Sequence, residues 1–390
     1  MQAETGGKVR YGMIGGGQGA FIGAAHRRAA ALDGALELVC GAFSRDLANN
    51  EATGRELGLA PERVYASWET LLASEARLPP EQRAELLVIV TPNDLHVPIA
   101  QAALSAGFHV FSEKPAGISL AQVQRLAETL AALPRPLRYA LAHTYLGYPL
   151  VWEARERVAR GELGALRKIH VEYPQGWLAQ DLAATGNRQA AWRDDPALSG
   201  PGGCLGDIGT HAFSLAEFIG GQPITRLNAH LRSHLPGRRL DDDVMVLFET
   251  AAGASGSLLA SQVCVGEENG LRIRLYGERG SLEWQQQAPN SLLQRSLDQP
   301  PQTLRAGLGL PWLSAGTQQR LRLPAGHPEG YLEALANLYR ELAAAIRDPA
   351  DPAPGLPGIT TGWRGLAFIE TALASHRHQG AWTPLPTLGA

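Results

Sequence analysis

The sequence has little of what a disulfide-framed, membrane-spanning or nucleic-acid-binding chain needs. Cysteine is scarce: Cys40, Cys204 and Cys264 are three scattered residues among 390. That is neither a disulfide framework nor a paired-cysteine metal site, and it fits a reducing compartment, so a cytoplasmic location is expected. No apolar run approaches the roughly 18 residues of a membrane span. The first eight residues show no apolar signal region and no twin arginine. An excess of one charge is also missing. Lys and Arg number 35 and Asp and Glu 38, for a net charge of −3. No nucleic acid and no membrane surface is therefore expected as a partner. What remains is a globular composition, 45% hydrophobic and 19% charged. Its length suits two domains or one large α/β unit with an appendage.

Apolar runs and helix-like stretches alternate through the first third. The runs are 9–14, 36–43, 64–66, 86–90, 109–112 and 137–142. They are nearly continuous in hydrophobicity, as strands are when helices cover both faces of a parallel sheet. The pattern predicts a doubly wound domain over 1–142. Gly15, Gly17 and Ala20 match G-x-G-x-x-G/A directly after the first strand. The glycines permit a tight turn and close approach to a pyrophosphate, which sits on the following helix N-terminus. Gln18 and Gly19 complete that loop. At the end of the second strand, Ser44 and Arg45 can donate to a 2′-phosphate, which favours NADP. Asp46 follows at once and favours NAD, unless it only caps the next helix. NADP is the expectation, with NAD open.

Ligand crevices lie at the carboxyl ends of parallel strands. Two ends carry unusual residues: Thr91-Pro92-Asn93-Asp94-Leu95-His96 and Glu113-Lys114-Pro115. The second aims an ammonium into the crevice. After residue 142 the pattern changes to alternating strands over 166–173, 225–235, 243–250 and 256–262, and a hairpin over 271–284. This predicts an α+β domain over 143–390 with a large, mostly antiparallel open sheet. A broad sheet face is a natural surface for a homodimer or homotetramer. Residues 285–327 show no period and read as irregular. Helices are predicted over 330–347 and 361–376. Asp207 and His211, four apart at the start of a predicted helix, share one face. They are either an orienter and base pair or a capping Asp with a packed His. Zinc is a further option at that spacing, but no third ligand is in evidence, so no metal is expected.

These residues together resemble the glucose–fructose oxidoreductase / inositol dehydrogenase / MocA (Gfo/Idh/MocA) family of pyridine-nucleotide oxidoreductases. The likeness rests on Gly15-Gly16-Gly17-Gln18-Gly19-Ala20, Thr91 to His96, Glu113-Lys114-Pro115, Trp192-Arg193, and Gly202-Gly203 through Asp207 to His211. It implies a dehydrogenase that moves a hydride between a secondary hydroxyl of a sugar, inositol or related polyol and a nicotinamide. Lys114 is then the catalytic lysine that stabilises the alkoxide, His211 the acid/base and Asp207 its carboxylate partner. Cofactor contacts fall on Gly15, Gly17, Gln18, Gly19, Ala20, Ser44, Arg45, Thr91, Pro92, Asn93, His96, Glu113 and Lys114. Lys114, His143, Tyr145, Trp192, Arg193, Asp207 and His211 line the substrate pocket, with His327 a weaker candidate. The Lys114–Pro115 peptide is a cis candidate. Two other readings stay open. One is a glycoside-cleaving enzyme that oxidises its sugar transiently. The other is a cofactor-sensing regulator without catalysis.

Overall fold

The computed structural model describes residues 7–182 and 192–388. Five of the apolar runs form one parallel sheet. Its strands are β1 (Val9–Gly15), β2 (Leu36–Ala42), β3 (Leu86–Val90), β4 (His109–Ser112) and β5 (Tyr139–Leu141), in the order β2-β1-β3-β4-β5. All five residues of β3 are buried, which is why that run shows no alternation. Helices α1 (Phe21–Leu32), α2 (Leu47–Glu56), α3 (Trp68–Glu75), α4 (His96–Ser105) and α5 (Leu120–Ala131) connect the strands. The strand order reverses between β1 and β3, where Gly15 pairs with Val90. That reversal places a crevice at the carboxyl ends of these two strands.

The segment 64–66 is not a sixth strand, as the sequence suggested. It makes only an isolated bridge, Gly41 to Val64. Side chains rather than a ladder hold it. Asn50 donates to the Tyr65 carbonyl, and the Tyr65 hydroxyl donates to buried Glu75. The same carboxylate accepts two bonds from Arg63 and one from the Ala84 amide.

A second, nine-stranded sheet runs β13-β12-β11-β10-β6-β9-β8-β7-β14. Its strands are β6 (Leu166–Pro174), β7 (Ile224–Arg232), β8 (Asp243–Thr250), β9 (Ser255–Ser261), β10 (Arg272–Gly277), β11 (Gly280–Gln285), β12 (Ser291–Ser296), β13 (Gln302–Arg305) and β14 (Thr383–Pro384). Among the described residues, only the β6–β9 pair of this sheet is parallel. Strands β12 and β13 lie inside the stretch read as irregular. Their short edge pairing leaves little apolar alternation to detect. Helices α6 (Pro149–Ala159) and α7 (Thr210–Gly220) belong with this sheet. The fold class is thus α/β: a doubly wound parallel sheet followed by a large, mostly antiparallel one.

Two long helices close the chain, α8 (Tyr331–Arg347) and α9 (Ile359–Arg377). Two compact units result. One comprises Met1–Gly117, Ala121–Ala142 and Leu335–Gly362. The other comprises Ile118–Leu120, His143–Ala334 and Trp363–Ala390. Residues 335–362, placed by the sequence in a domain running 143–390, therefore group with the first unit. The reason is hydrophobic. Leu335, Leu338, Tyr339 and Leu342 of α8 join Val9, Tyr11, Met13, Val88 and Phe111 in one core.

Glu75 is the polar anchor of this unit's edge. Replacing it by Ala would strand Arg63, Tyr65 and the Ala84 amide. Glu75→Ala is expected to cost about 3 kcal/mol or more in urea unfolding. A cost below about 1 kcal/mol, the level of an exposed ion pair, would contradict this account.

Candidate active site

In the first unit the loop after β1 is shaped for an anion. Gly15, Gly16 and Gly19 have φ of +85°, +75° and +83°, the left-handed region that favours glycine. A Cβ on Gly15 would lie 2.6 Å from the Val90 carbonyl oxygen. The Gly17 amide donates to the Phe43 carbonyl, and the Ala20 amide donates to that of Gly17. Ala20 caps α1 with no side-chain bond, and no acidic residue stands in the first turn. The helix thus presents unclaimed amides and its positive end to the loop. Gln18 is exposed. Its amide donates to Thr53 and its side chain to Glu56. Thr91 Oγ1, at the end of β3, is buried without a hydrogen-bond partner among the described residues. The glycine cradle, the uncapped helix and this orphaned hydroxyl fit a dinucleotide.

Beyond β2, the Ser44 hydroxyl accepts from the Asp46 amide, and Asp46 caps α2 by accepting from the Ala48 amide. Arg45 is exposed. Asn50 accepts from the Phe43 amide at 2.7 Å and fixes this loop. Asn49 donates to the Gln18 carbonyl at 3.0 Å and ties α2 to the glycine loop. Neither asparagine was singled out from the sequence, because both lie inside an ordinary-looking helix.

The other two strand ends are built tightly. Pro92 leads into a single turn, Asn93–Leu95, and Asn93 is buried. His96 is buried with Nδ1 2.7 Å from the Pro115 carbonyl and Nε2 2.9 Å from that of Thr91. Burial pushes this imidazole's pKa down. A neutral ring carries one N–H, so one of the two contacts is a hydrogen bond at a time. His96 therefore staples one strand end to the other. The Lys114–Pro115 peptide is cis. Glu113 accepts from the Lys114 amide at 3.0 Å and from His26 at 2.9 Å. Burial pushes the Glu113 carboxyl up, but the His26 bond and the nearby Lys114 charge more than offset it. Its pKa stays below the usual carboxylate value.

In the second unit a polar cluster gathers around Asp207 and His211. The predicted single helix is two pieces. Leu205–Gly209 is a π-helical turn, and α7 starts at Thr210. Such turns recur at functional sites. Asp241 organises the turn by accepting from the Gly203 and Leu205 amides at 2.8 and 2.7 Å. Burial pushes the Asp241 pKa up to about 6. Asp207 accepts from Arg193 at 3.3 Å and from Gln262 at 3.0 Å. The Arg193 guanidinium lies over the Trp192 ring at 4.4 Å and near that of Trp177 at 5.8 Å. His211 is surrounded by rings: Tyr145 at 4.8 Å, His143 at 5.4 Å and Tyr173 at 6.3 Å between centroids. His327, by contrast, is an exposed loop residue.

Behind Tyr145 lies a closed ring of hydrogen bonds. The Tyr145 hydroxyl meets that of Tyr173 at 2.5 Å, the Tyr173 hydroxyl donates to Asn269 Oδ1 at 2.6 Å, and Asn269 Nδ2 donates back to Tyr145 at 3.0 Å. The last two directions require Tyr145 to donate to Tyr173. Gln175 also donates to Asn269 Oδ1, which fixes the amide's orientation. Burial pushes the Tyr173 hydroxyl well above its ordinary pKa, and neighbouring Tyr145 adds to this. Tyr173 and Asn269 come from a strand and a loop far apart in sequence, so no local motif marked them. The same holds for Gln262 and Asp241.

A glycine-cradled helix N-terminus on a parallel sheet, with a clustered carboxylate and imidazole in a second unit built on a mostly antiparallel sheet, defines a class: dinucleotide-dependent oxidoreductases. Residues 9–140 match the oxidoreductase family with the NAD-binding Rossmann fold, and residues 151–283 match the GFO/IDH/MocA C-terminal domain. The chain belongs to the GFO/IDH/MocA oxidoreductase family. It is 32% identical over 385 residues to an uncharacterized oxidoreductase, YfiI, of Bacillus subtilis, covering 96% of each chain. It superposes on an inositol dehydrogenase homolog from Azotobacter vinelandii complexed with NAD+, with a TM-score of 0.90 and 35% identity over 97% of both chains. The same homolog complexed with NADH and myo-inositol gives a TM-score of 0.89 at 35% identity, over 97% of this chain and 98% of that one. No helix of the described residues is long and apolar enough to cross a membrane.

Two outcomes are expected. Gly15→Ala forces a Cβ into a left-handed backbone and against Val90, so dinucleotide affinity should fall by at least about tenfold in a fluorescence titration. Asp241 has a folded pKa of about 6 against 3.8 when unfolded. A raised carboxyl contributes stability that is present below the unfolded value and lost as pH rises through the folded one. The stability of wild type relative to Asp241→Asn should therefore fall between about pH 4 and 6, read from thermal melts across that range. A pH-independent difference would show that this carboxyl does not titrate there.

Proposed function

We propose that this oxidoreductase oxidises a secondary hydroxyl of an inositol, sugar or related polyol to the ketone, or reduces it in reverse, with NAD(H). The observation that carries the reading is the cluster around His211. It places an imidazole, a carboxylate held by Arg193 and Gln262, and several aromatic rings on one surface. Such a mixture suits a ligand with many hydroxyls and weakly polar ring faces. The NAD+ and myo-inositol complexes of a relative 35% identical support it. The first unit, residues 1–142 with the returning helix, holds the dinucleotide, and the second holds the substrate.

When bound, the nicotinamide supplies the hydride acceptor or donor. The protein's own groups handle the oxygen and its proton. Lys114 Nζ donates to the reacting oxygen and stabilises the developing alkoxide. A ring nitrogen of His211 takes the hydroxyl proton. Asp207 stabilises the imidazolium so formed. Tyr145, His143, Trp192 and Arg193 bind the remaining hydroxyls. Glycines 15, 17 and 19, with Gln18, Ala20, Thr91, Pro92 and Asn93, carry the dinucleotide. His96 and Glu113 act by holding the loops around Lys114.

Ser44 and Arg45 argue for NADP, but Asp46 would repel a 2′-phosphate, and the relative's complexes are with NAD+ and NADH. We therefore favour NAD. Paired titrations test this, and Arg45→Ala should weaken NADP more than NAD, by roughly tenfold for one lost charge-assisted bond. The outward sheet face exposes Met245 and Leu247, and we place a homodimer or homotetramer contact there, readable by light scattering.

Lys114→Ala is expected to lower kcat/KM for a polyol by about 10²–10³-fold, and His211→Ala by about 10²–10⁴-fold, with NAD affinity little changed. Glycoside cleavage without net NADH formation would replace this reading with the transient-oxidation mechanism. Dinucleotide binding with no turnover of any polyol or glycoside would point to a regulator.

A further inference from the structure

His26 is a polar residue where the core calls for an apolar one. It lies in α1, fully buried, beside Ala25, Ala29, Phe111 and Tyr339. Both ring nitrogens are engaged. Nδ1 is 2.6 Å from the Tyr339 hydroxyl, and Nε2 is 2.9 Å from Glu113 Oε1. Phe111 meets both rings edge-on, with centroids 5.7 Å from His26 and 4.7 Å from Tyr339. The other Glu113 oxygen accepts from the Lys114 amide. Ionised Glu113 only accepts, so Nε2 carries the hydrogen. Nδ1 meets the Tyr339 hydroxyl. The chain links the Tyr339 hydroxyl to His26 and His26 to Glu113, with Glu113 holding the Lys114 main chain.

We propose that His26 and Tyr339 are positioning residues for Lys114, acting through the Glu113 carboxylate. Burying three polar groups is costly unless each is satisfied. An apolar trio would pack this site without that demand. What the polar trio adds is a fixed orientation of the Glu113-Lys114 peptide. Three elements distant in sequence, α1, the end of β4 and α8, converge on that peptide. The assignment of chemistry to Lys114 rests on the polyol-dehydrogenase reading above. The positioning itself does not.

The test therefore has two arms. In the protein without added dinucleotide, hydrogen–deuterium exchange of peptides covering 108–118 reports the Lys114 amide. Exchange should accelerate at least about tenfold in His26→Ala and return toward wild type in His26→Gln, whose amide can still accept from Tyr339 and donate to Glu113. In turnover with NAD and a polyol, His26→Ala should lose about tenfold to a hundredfold in kcat, the scale of a small misplacement of a catalytic group, with KM changed less than about threefold. Tyr339→Phe, which removes one hydroxyl from the core, should lose less. The His26→Ala/Glu113→Gln double variant should be no slower than Glu113→Gln alone, because the residues act as a unit. Should His26→Ala fail to fold, His26→Gln and Tyr339→Phe carry the comparison. Unchanged exchange at Lys114 with kcat within twofold of wild type, or losses that simply multiply, would overturn the proposal. A wild type that turns over no polyol overturns the functional reading instead, and the exchange arm still decides the positioning.

Discussion

A parallel sheet delivers all of its carboxyl ends to one edge, and the first unit depends on that constraint. Gly15, Val90 and Ser112 end adjacent strands, so the loops that follow them are neighbours without any further device. One loop supplies left-handed glycines and an uncapped helix. The next supplies a buried threonine hydroxyl, and the third supplies Glu113-Lys114-Pro115. Sheet geometry alone does not aim these loops. His96 bridges the second and third by way of two carbonyls, and Asn49 ties the first to α2. The crevice is therefore preorganised by side chains that bond to the main chain of neighbouring loops, with the His96 imidazole buried.

The second unit solves a different problem, placing a carboxylate and an imidazole on one short stretch of chain. It does so with a π-helical turn, which changes the angular offset between Asp207 and His211 from that of a regular helix. Such a turn is held by the carboxylate of Asp241, from the chain just before β8. The Tyr145–Tyr173–Asn269 ring then stiffens the aromatic wall from behind. Each hydroxyl in that ring donates once and accepts once.

Much of this was legible in the sequence, for reasons that differ by element. Strands β3 and β4 read clearly because full burial makes a run uniformly apolar. The glycine loop read clearly because its chemistry needs a fixed spacing. The 64–66 segment misled because three apolar residues look alike whether a ladder or side chains hold them. Strands β12 and β13 escaped because short edge strands need little hydrophobic patterning. The return of 335–362 to the first unit could not be read locally at all. An amphipathic helix shows which face is buried, not which sheet receives it. His26, Gln262, Asn269 and Asp241 were missed on the same ground, since their partners lie up to hundreds of residues away.

The composition of the first unit has a consequence for how the protein is made. Its sheet emerges early, but the helix that supplies Leu335, Leu338, Tyr339 and Leu342 to its core comes about 200 residues later. At about 5–20 residues per second, that delay is on the order of ten seconds or more. Over that interval the nascent sheet holds an apolar surface with no native cover, and Tyr339, the partner of His26, is missing. The two units therefore do not mature in order from the N-terminus, and a chain halted before α8 would leave the dinucleotide fold open along one side.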